Sequence, residues 1–287
     1  MELYVPDWDR RANHTEKYPE LKVITSQPTA IWYECPYNKP LKNVKNRVRR
    51  LLAKSDLVNQ TPVLVLYAIP NRDLGGYSKG GQKDRETYLQ FVGDFVEGIG
   101  KSKPIVIFEP DAIPQTHMLS IKKKRERMEL IETTLRMFKR CNARVYLDVG
   151  HCNWLEVTDA ALYLKYFNVN TFAGFSINTS NFYSTEESYE YGKQISELCD
   201  NAHFVIDTSR NGNPNIVNPK QNVFNPDDIC LGNLPTVDTC DKIVDAYLWI
   251  KVPGESDGTK NGGPKAGRFW LEQALELVHR SKHNDER

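Results

Sequence analysis

Short runs of β-branched and other apolar residues recur along the whole chain. Within each run the apolar residues are continuous and do not alternate with polar ones, as expected for strands that are covered on both faces. Seven such runs are predicted as strands, at residues 30–33, 62–69, 104–109, 144–149, 172–177, 203–207 and 245–251.

Apolar residues three and four positions apart lie between most of these strands and predict amphipathic helices. Val44, Val48 and Leu51, for example, share one face of the segment 42–54. Strands that alternate with helices form βα units around a parallel sheet. Because no GxGxxG follows the first strand, one barrel-like α/β domain covering residues 1–287 is favoured over a doubly wound sheet. The other predicted helices lie within 84–99, 120–138, 158–167, 186–199 and 265–280.

Charge and composition exclude several classes of protein. The 287 residues include 38 Lys and Arg against 37 Asp and Glu, which gives a formal net charge of +1. Nucleic acids and anionic membrane surfaces attract proteins with a basic excess, so neither is expected as a partner. Even the longest apolar runs, such as 63–69, are too short to span a bilayer, and no membrane segment is predicted.

The six cysteines are too dilute for a disulfide scaffold, and no pair has CxxC spacing. We therefore expect mostly free thiols, no metal site and no cofactor, and a Cys230–Cys240 bridge stays an open alternative. The stretch 75–81 is rich in glycine, but Gln82 stands where a phosphate-binding loop requires Lys. This substitution argues against a nucleotide site.

Polar residues that follow the strands are the candidates for chemistry, because the active sites of α/β folds lie at the carboxyl ends of their strands. A single Asp at such a place is more often a helix cap or a turn residue. Stability alone does not account for carboxylates at the ends of five of the seven strands, with Trp and amide groups beside them. The residues concerned are Trp32, Arg72, Asp73, Ser78, Asp111, Asp148, His151, Trp154, Asn178, Asn181, Asp207, Arg210, Lys251, Glu255 and Asp257.

This assortment of side chains suits a carbohydrate ligand. Trp rings stack on the apolar faces of sugars, and charged and amide groups form paired hydrogen bonds with hydroxyls. Glycosidic cleavage uses two carboxyl groups, of which one protonates the leaving oxygen and the other activates water or attacks carbon. Clustered aspartates also serve magnesium-dependent phosphoryl transfer, but the sequence lacks a phosphate cradle.

Seven fragments, taken in order, resemble glycoside hydrolase family 6, the inverting cellulases that include endoglucanases and cellobiohydrolases acting on β-1,4-glucan. Each fragment alone is moderately specific, whereas seven collinear fragments are highly specific. The resemblance implies a distorted seven-stranded parallel α/β barrel (TIM-like), which agrees with the strands predicted above. The fragments are QPTAIWY (27–33), VLYAIPNRDLGGYS (65–78), FEPDAIP (108–114), YLDVGHCNW (146–154), SINTSNF (176–182), HFVIDTSRNG (203–212) and WIKVPGESDGTKNGGPKAGRFW (249–270).

The resemblance implies roles for three carboxylates. Asp111, in FEPDAIP, matches the general acid of the family. Asp73 matches the aspartate that keeps the pKa of the acid high and helps to organise the water chain, in keeping with like-charge repulsion between close carboxylates. Asp257, in GESDG, matches the residue often proposed as the base.

Other matched positions are implied to assist catalysis or to bind glucan. Ser78, or Lys79 if the loop alignment shifts by one, matches a serine that relays water, and Tyr67 matches the tyrosine beneath the distorted sugar. Trp32 and Trp154 match stacking platforms on the two sides of the cleavage point. Arg72 and Arg210 are implied to orient the carboxylates, Arg72 among the catalytic groups and Arg210 beside the glucan. Polar contacts to glucan are implied for Asp148, His151, Asn181, Lys251 and Glu255.

The chain also departs from the family pattern. The family usually carries two disulfides, and both are lost here, with Leu74 and Lys260 at two of the cysteine positions. Val223 and Phe224 stand where the family usually shows Trp-Cys, so one glucan platform is missing. The segment 259–266 is short, which implies an open cleft that admits the middle of a glucan chain.

The sequence therefore predicts a single-domain, metal-independent, inverting β-1,4-endoglucanase that acts as a monomer on β-1,4-glucan. An extracellular location is implied, although no signal peptide is visible and the family disulfides are missing. Two alternatives stay open: a cellobiohydrolase of the same family, and a glucan-binding domain with little turnover linked to cellulose synthesis.

Overall fold

Seven parallel strands form one sheet whose spatial order follows the order of the chain. The computed structural model describes residues 1–6, 14–35, 42–76, 78–213, 215–216 and 224–284. The seven predicted strands are confirmed, as β1 Ile31–Glu34, β2 Val63–Tyr67, β3 Ile105–Phe108, β4 Arg144–Asp148, β5 Gly174–Ile177, β6 Phe204–Asp207 and β7 Val244–Leu248.

The sheet curls until its two edges meet, but the edges do not pair as a ladder. Among the described residues, each ladder joins strands that are consecutive in the chain, and none joins β1 to β7. The edges touch instead through the Ala30 N–H, which donates to the Trp249 carbonyl at 3.0 Å. The indole N–H of Trp32 donates to the Ile250 carbonyl at 2.8 Å. The predicted distorted seven-stranded barrel is thereby confirmed, with one open seam.

Eight α-helices are described, and six of them lie where the apolar spacing predicts them. The two others, α1 Lys22–Thr25 and α4 Ala112–His117, are too short for a helical period to be visible in the sequence, and α4 contains Pro114 in its first turn. The remaining helices are α2 Val44–Leu57, α3 Arg85–Ile99, α5 Ile121–Phe138, α6 Val157–Tyr166, α7 Thr185–Leu198 and α8 Leu271–Asn284. Short 3₁₀ turns lie at Pro19–Leu21, Asp73–Gly75, Val169–Thr171 and Lys260–Gly262.

The inner strands β2 to β6 are almost entirely buried on both faces, which explains why their sequences are mostly apolar, whereas the edge strands β1 and β7 are partly exposed. In β2, Leu64 and Leu66 pack against the outer helices. Val63, Val65 and Tyr67 alternate with them and fill the interior of the barrel. This division leaves the carboxyl ends of the strands as the place where polar side chains can gather.

Strand β2 ends before its apolar run does. The run was predicted to continue to residue 69, but the ladder stops at Tyr67. The N–H groups of Ala68 and Ile69 donate instead to the carboxylate of Glu109, at 3.0 and 3.1 Å. A side-chain acceptor thus ends the strand and turns the following loop across the top of the barrel.

Strand β7 ends in the same way, at Leu248 and not at residue 251 as predicted. The N–H groups of Ile250 and Lys251 donate to the carboxylate of Asp207, at 3.3 and 2.9 Å. Asp207 is fully buried, so its role is to hold backbone, although the sequence placed it among the candidates for chemistry.

All six cysteines are free thiols. The alternative of a Cys230–Cys240 bridge is therefore wrong: Cys230 is buried, whereas Cys240 is exposed. Within the described ranges, no helix has both the length and the apolar character needed to cross a membrane.

Candidate active site

Asp111 lies at the top of the barrel, between β3 and α4. Its backbone has a φ of +69°, and its N–H donates to the Asp148 carboxylate at 2.9 Å. The phenol of Tyr67 lies 3.5 Å from its Oδ2. Burial, followed by the neighbouring carboxylates of Asp148 and Asp73, raises the pKa of Asp111 well above its usual value. The side chain therefore keeps its proton to higher pH than an ordinary Asp, as a general acid requires.

Asp148 lies behind Asp111 and is fully buried. Its Oδ1 accepts from the N–H groups of Asp111 and Gly150, at 2.9 and 3.1 Å. Its Oδ2 accepts from the hydroxyls of Ser176 and Thr179, at 3.1 and 2.6 Å. Burial raises its pKa to about 6. We expected Asp148 to contact glucan, and this placement corrects that prediction: the side chain holds the backbone of Asp111 and does not reach the surface.

Glu109 is a buried carboxyl group that the sequence analysis did not single out. It receives the two N–H groups that end β2 and, at 2.9 Å, the hydroxyl of Tyr88. Burial raises its pKa to about 7. Because Glu109 precedes Asp111 by two residues and holds the start of the loop with Asp73, it connects the two loops. The one available signal was a carboxylate directly after an apolar strand.

Asp73 lies in a short 3₁₀ turn after β2, with a φ of +59°. Its Oδ2 accepts the N–H of Ser78 at 2.7 Å, so the residue that meets Asp73 is Ser78, while Lys79 is exposed. Burial raises the pKa of Asp73, although the Ser78 N–H and Arg72 oppose the rise. Gly76 permits this turn, because a Cβ there would lie 2.4 Å from Asp73 Oδ2.

Arg72 clamps the loop from below and is almost fully buried. Its Nε donates to the Ser78 carbonyl at 2.8 Å and its Nη1 to the Tyr67 carbonyl at 2.7 Å. The guanidinium lies 4.2 Å from the centre of the Tyr67 ring. Arg72 therefore fixes the position of Asp73 through the backbone, and its charge acts on Asp73 and Asp111 over a distance.

Asp257 lies in the loop that follows β7. Both of its oxygens accept from Nη1 of Arg210 at 2.9 Å, and Nζ of Lys251 lies 3.4 Å from Oδ1. Burial alone would raise the pKa of Asp257, but the charges of Arg210 and Lys251 outweigh it and hold the pKa below its ordinary value. The pKa of Asp257 is thus displaced in the direction opposite to that of Asp111, and both residues follow strands at the same end of the barrel.

Arg210 is fully buried. Besides Asp257, it donates from Nη2 to the Ser180 carbonyl at 2.6 Å, and it lies 4.4 Å from the centre of the Phe182 ring. The expectation of a direct contact between Arg210 and glucan is therefore wrong, while its orientation of a carboxylate is what the geometry provides. Asn178 is buried too and holds the Tyr183 and Asp207 carbonyls.

The aromatic candidates lie at two places near these carboxylates. Trp32 is half-buried and meets the Tyr67 ring edge-on, with ring centres 5.2 Å apart. Trp154 is half-buried and lies beside His151, whose ring stacks on Tyr183 at 4.7 Å. Burial lowers the pKa of His151 to about 4, so its ring is neutral at neutral pH.

The other polar candidates are partly accessible or reach the same loops. Asn181 is half-buried and donates to the Thr179 carbonyl at 3.0 Å. Glu255 is half-buried and precedes Asp257 by two residues. Lys251 is only 9% exposed, and its ammonium group faces the Asp257 carboxylate. Of the part of the chain that the structure describes, no cluster of His, Cys, Asp and Glu is arranged to hold a metal ion.

Comparisons with known proteins agree with this geometry. A family model described as glycosyl hydrolases family 6 matches residues 7–281. Endoglucanase A of Cellulomonas fimi is 41% identical over 223 residues, which are 78% of this chain and 48% of that protein. Endoglucanase 1 of a Streptomyces species is 36% identical over 89% of this chain and 70% of that protein. This chain therefore spans about half the length of the first relative and somewhat more than two thirds of the second.

A solved structure shares the fold closely. It is the endoglucanase Cel6 from Mycobacterium tuberculosis in complex with methyl-cellobiosyl-4-deoxy-4-thio-β-D-cellobioside. The two structures superpose with a TM-score of 0.90 at 36% identity, over 97% of each chain.

Proposed function

Because the chain belongs to glycosyl hydrolase family 6, we propose that it hydrolyses β-1,4-glucosidic bonds in cellulose and related β-glucans, as one catalytic domain. The observation that carries the proposal is a pair of carboxyl groups whose pKa values are displaced in opposite directions. Burial and like charges raise the pKa of Asp111, whereas two cations lower the pKa of Asp257 despite its burial. Such a separation assigns an acid and an ionised partner within one site.

In the proposed reaction, Asp111 donates its proton to the glycosidic oxygen while the bond from that oxygen to the anomeric carbon breaks. Water attacks the anomeric carbon from the opposite face, and its proton passes to a carboxylate. The product then carries the α configuration at its new reducing end. Asp257 is the candidate acceptor, and Asp73 with Ser78 forms the candidate route for a water relay.

The positions of the other groups support this assignment. Tyr67 lies directly beside Asp111, where it can meet the sugar ring that is cleaved. Trp32 and Trp154 are half-exposed, as a stacking platform for glucose rings must be. The polar candidates that remain partly accessible are His151, which lies beside Trp154, Asn181 and Glu255.

The mode of attack is proposed to be endo. The segment 259–266 contains only one 3₁₀ turn before the chain returns to α8, so it is too short to arch over the groove. The relatives compared above are called endoglucanases. We place the substrate outside the cell, because cellulose is too large to enter, and the chain is proposed to work as a monomer without a metal or cofactor.

Viscometry of a soluble substituted cellulose tests the proposal. Internal cleavage predicts that viscosity falls steeply before much reducing sugar appears. Asp111→Asn should slow both changes by about 10²–10⁴-fold, and Glu190→Gln, at an exposed carboxylate on α7, should leave both as in the wild type. Viscosity that falls only in proportion to reducing ends, with cellobiose as the first product, would indicate a cellobiohydrolase. Tight glucan binding without any reducing ends would indicate a binding domain instead.

A further inference from the structure

The carboxylate of Asp257 is held firmly by Arg210, and its backbone lies in a segment without regular strand or α-helix, which Ser256 fixes in part by donating to the Gly258 and Pro264 carbonyls at 2.9 Å. The segment 256–263 contains one 3₁₀ turn, Lys260–Gly262, and no strand or α-helix. The position of the carboxylate therefore depends on whatever fixes this backbone. If this backbone shifted, Arg210 could follow the Asp257 carboxylate only as far as its own hydrogen bonds allow.

Asn225 supplies that fixation from a distant part of the sequence. It is 2% exposed, and its Oδ1 accepts from the Asp257 N–H at 2.7 Å. Its Nδ2 donates to the carbonyls of Gly258 and Lys260, at 2.7 and 2.9 Å. Its own N–H donates to Asp257 Oδ2 at 3.1 Å. One residue thus contacts the carboxylate of Asp257 and the backbone on both sides of it.

The local backbone is built for this contact. Asn225 has a φ of +46°, a conformation that Asn tolerates better than most residues. Gly263 approaches so closely that a Cβ there would lie 2.4 Å from Asn225 Nδ2. The Ser256 hydroxyl also reaches Asn225 Oδ1, at 3.3 Å. The loop closes around the Asn225 amide.

We propose that Asn225 is a positioning residue for Asp257, which it places against the cleaved bond by fixing segment 256–263. The inference rests on the proposed function. Asn225 acts through Asp257 and does not touch substrate. Sequence reasoning did not single it out, because it lies in an irregular stretch between β6 and β7, directly after the Val223 and Phe224 positions.

Asn225→Ala and a matched control variant, Asn261→Ala, test the proposal. Asn261 also donates a side-chain bond across the same contact, to the Phe224 carbonyl at 2.9 Å, and lies 3.5 Å from the Asn225 carbonyl, but it does not touch Asp257. Asn225→Ala should lower kcat on soluble cellulose about 10–100-fold with KM changed less than about threefold, because small misplacements near the reacting atoms have effects of this size. Asn261→Ala should change kcat less than about threefold.

Asn225→Asp tests whether Asn225 is coupled to the reaction through Asp257. The change keeps the acceptor for the Asp257 N–H and adds a negative charge beside Asp257, which otherwise faces the cations Arg210 and Lys251, with Lys260 nearby. Like-charge repulsion favours protonation of Asp257, so the acid limb of the pH–kcat profile should move to higher pH. A limb that stays in place would mean that the ionisation of Asp257, and hence Asn225 acting through it, does not control kcat.

Crystal structures of wild type and Asn225→Ala supply a readout that does not depend on activity. The Asp257 carboxylate should move by about 1 Å or lose its double contact with Arg210. A wild-type enzyme without any activity on β-1,4-glucan would refute the proposed function, and the crystal structures alone would then decide the positioning role. An unmoved Asp257, or a variant with wild-type kcat and an unshifted acid limb, would overturn it.

Discussion

Arg210→Met tests the electrostatic account of the site, because it leaves the buried carboxylate of Asp257 without its main cation. Arg210 gives Asp257 two hydrogen bonds at 2.9 Å, and the Asp257 side chain is only 11% exposed. Breaking a buried ion pair by removing one partner costs about 3–5 kcal/mol. Lys251, at 3.4 Å, still faces Asp257, so we expect a loss near the lower end, about 3 kcal/mol.

The assay is thermal and urea unfolding of a double-mutant cycle. A loss of about 3 kcal/mol should lower Tm by about 5 °C in a chain of 287 residues, because the entropy of unfolding grows with chain length. If the stranded charge causes the loss, adding Asp257→Asn should restore part of the stability. The matched control is Arg136→Met, which breaks an exposed pair with Glu132 at 3.4 Å and should cost less than about 1 kcal/mol.

The pH dependence follows from the depressed pKa of Asp257. A carboxylate with a lowered folded-state pKa stabilises the protein above its unfolded-state pKa, and that contribution is lost as the pH falls through the folded-state pKa. The penalty of Arg210→Met should therefore shrink in acid. A double variant that is no more stable than Arg210→Met would refute the reasoning, because the loss would then come from packing against Phe182.

Two further predictions concern buried carboxyl and aromatic groups. The pKa of Glu109 is raised to about 7, so its contribution to stability is full below its unfolded-state pKa and is lost as the pH rises through about 7. Glu109→Gln should remove about 3 kcal/mol of this decline, as measured by urea unfolding between about pH 4.5 and 7. An equal pH dependence of the free energy of unfolding in both proteins would contradict the prediction. Trp154→Ala should weaken glucan binding about 5–100-fold, as measured by calorimetric titration, with little change in Tm, whereas Trp32→Ala should lower both affinity and Tm because its indole also bonds the Ile250 carbonyl. A lower Tm with unchanged affinity for Trp154→Ala would mean that this ring belongs to the core.

The fold was predictable because the inner strands β2 to β6 are almost entirely buried on both faces and therefore appear in the sequence as apolar runs. The ends of the strands were not, since apolar character continues past the last ladder bond. Ala68 and Ile69 look like strand residues, but their N–H groups belong to Glu109. A side-chain carboxylate that competes for backbone donors cannot be recognised from residue type alone.

The candidate site was predictable as a set of strand-end residues, and less so as a set of roles. The sequence shows that Asp148, Asp207 and Arg210 follow strands, but it does not show which way each side chain points. The structure buries all three and leaves them to hold backbone or another carboxylate. Asn225 is the opposite case, a residue without any pattern whose importance comes from contacts 32–35 positions away.

Proton NMR of the first products from a soluble β-linked cello-oligosaccharide tests the central claim most directly. If Asp111 protonates the leaving oxygen while water attacks from the opposite face, the α-anomer appears first and converts slowly to the equilibrium mixture. Asp111→Asn should slow its appearance by about 10²–10⁴-fold. Early accumulation of the β-anomer, or an Asp111→Asn variant with wild-type turnover, would contradict the account.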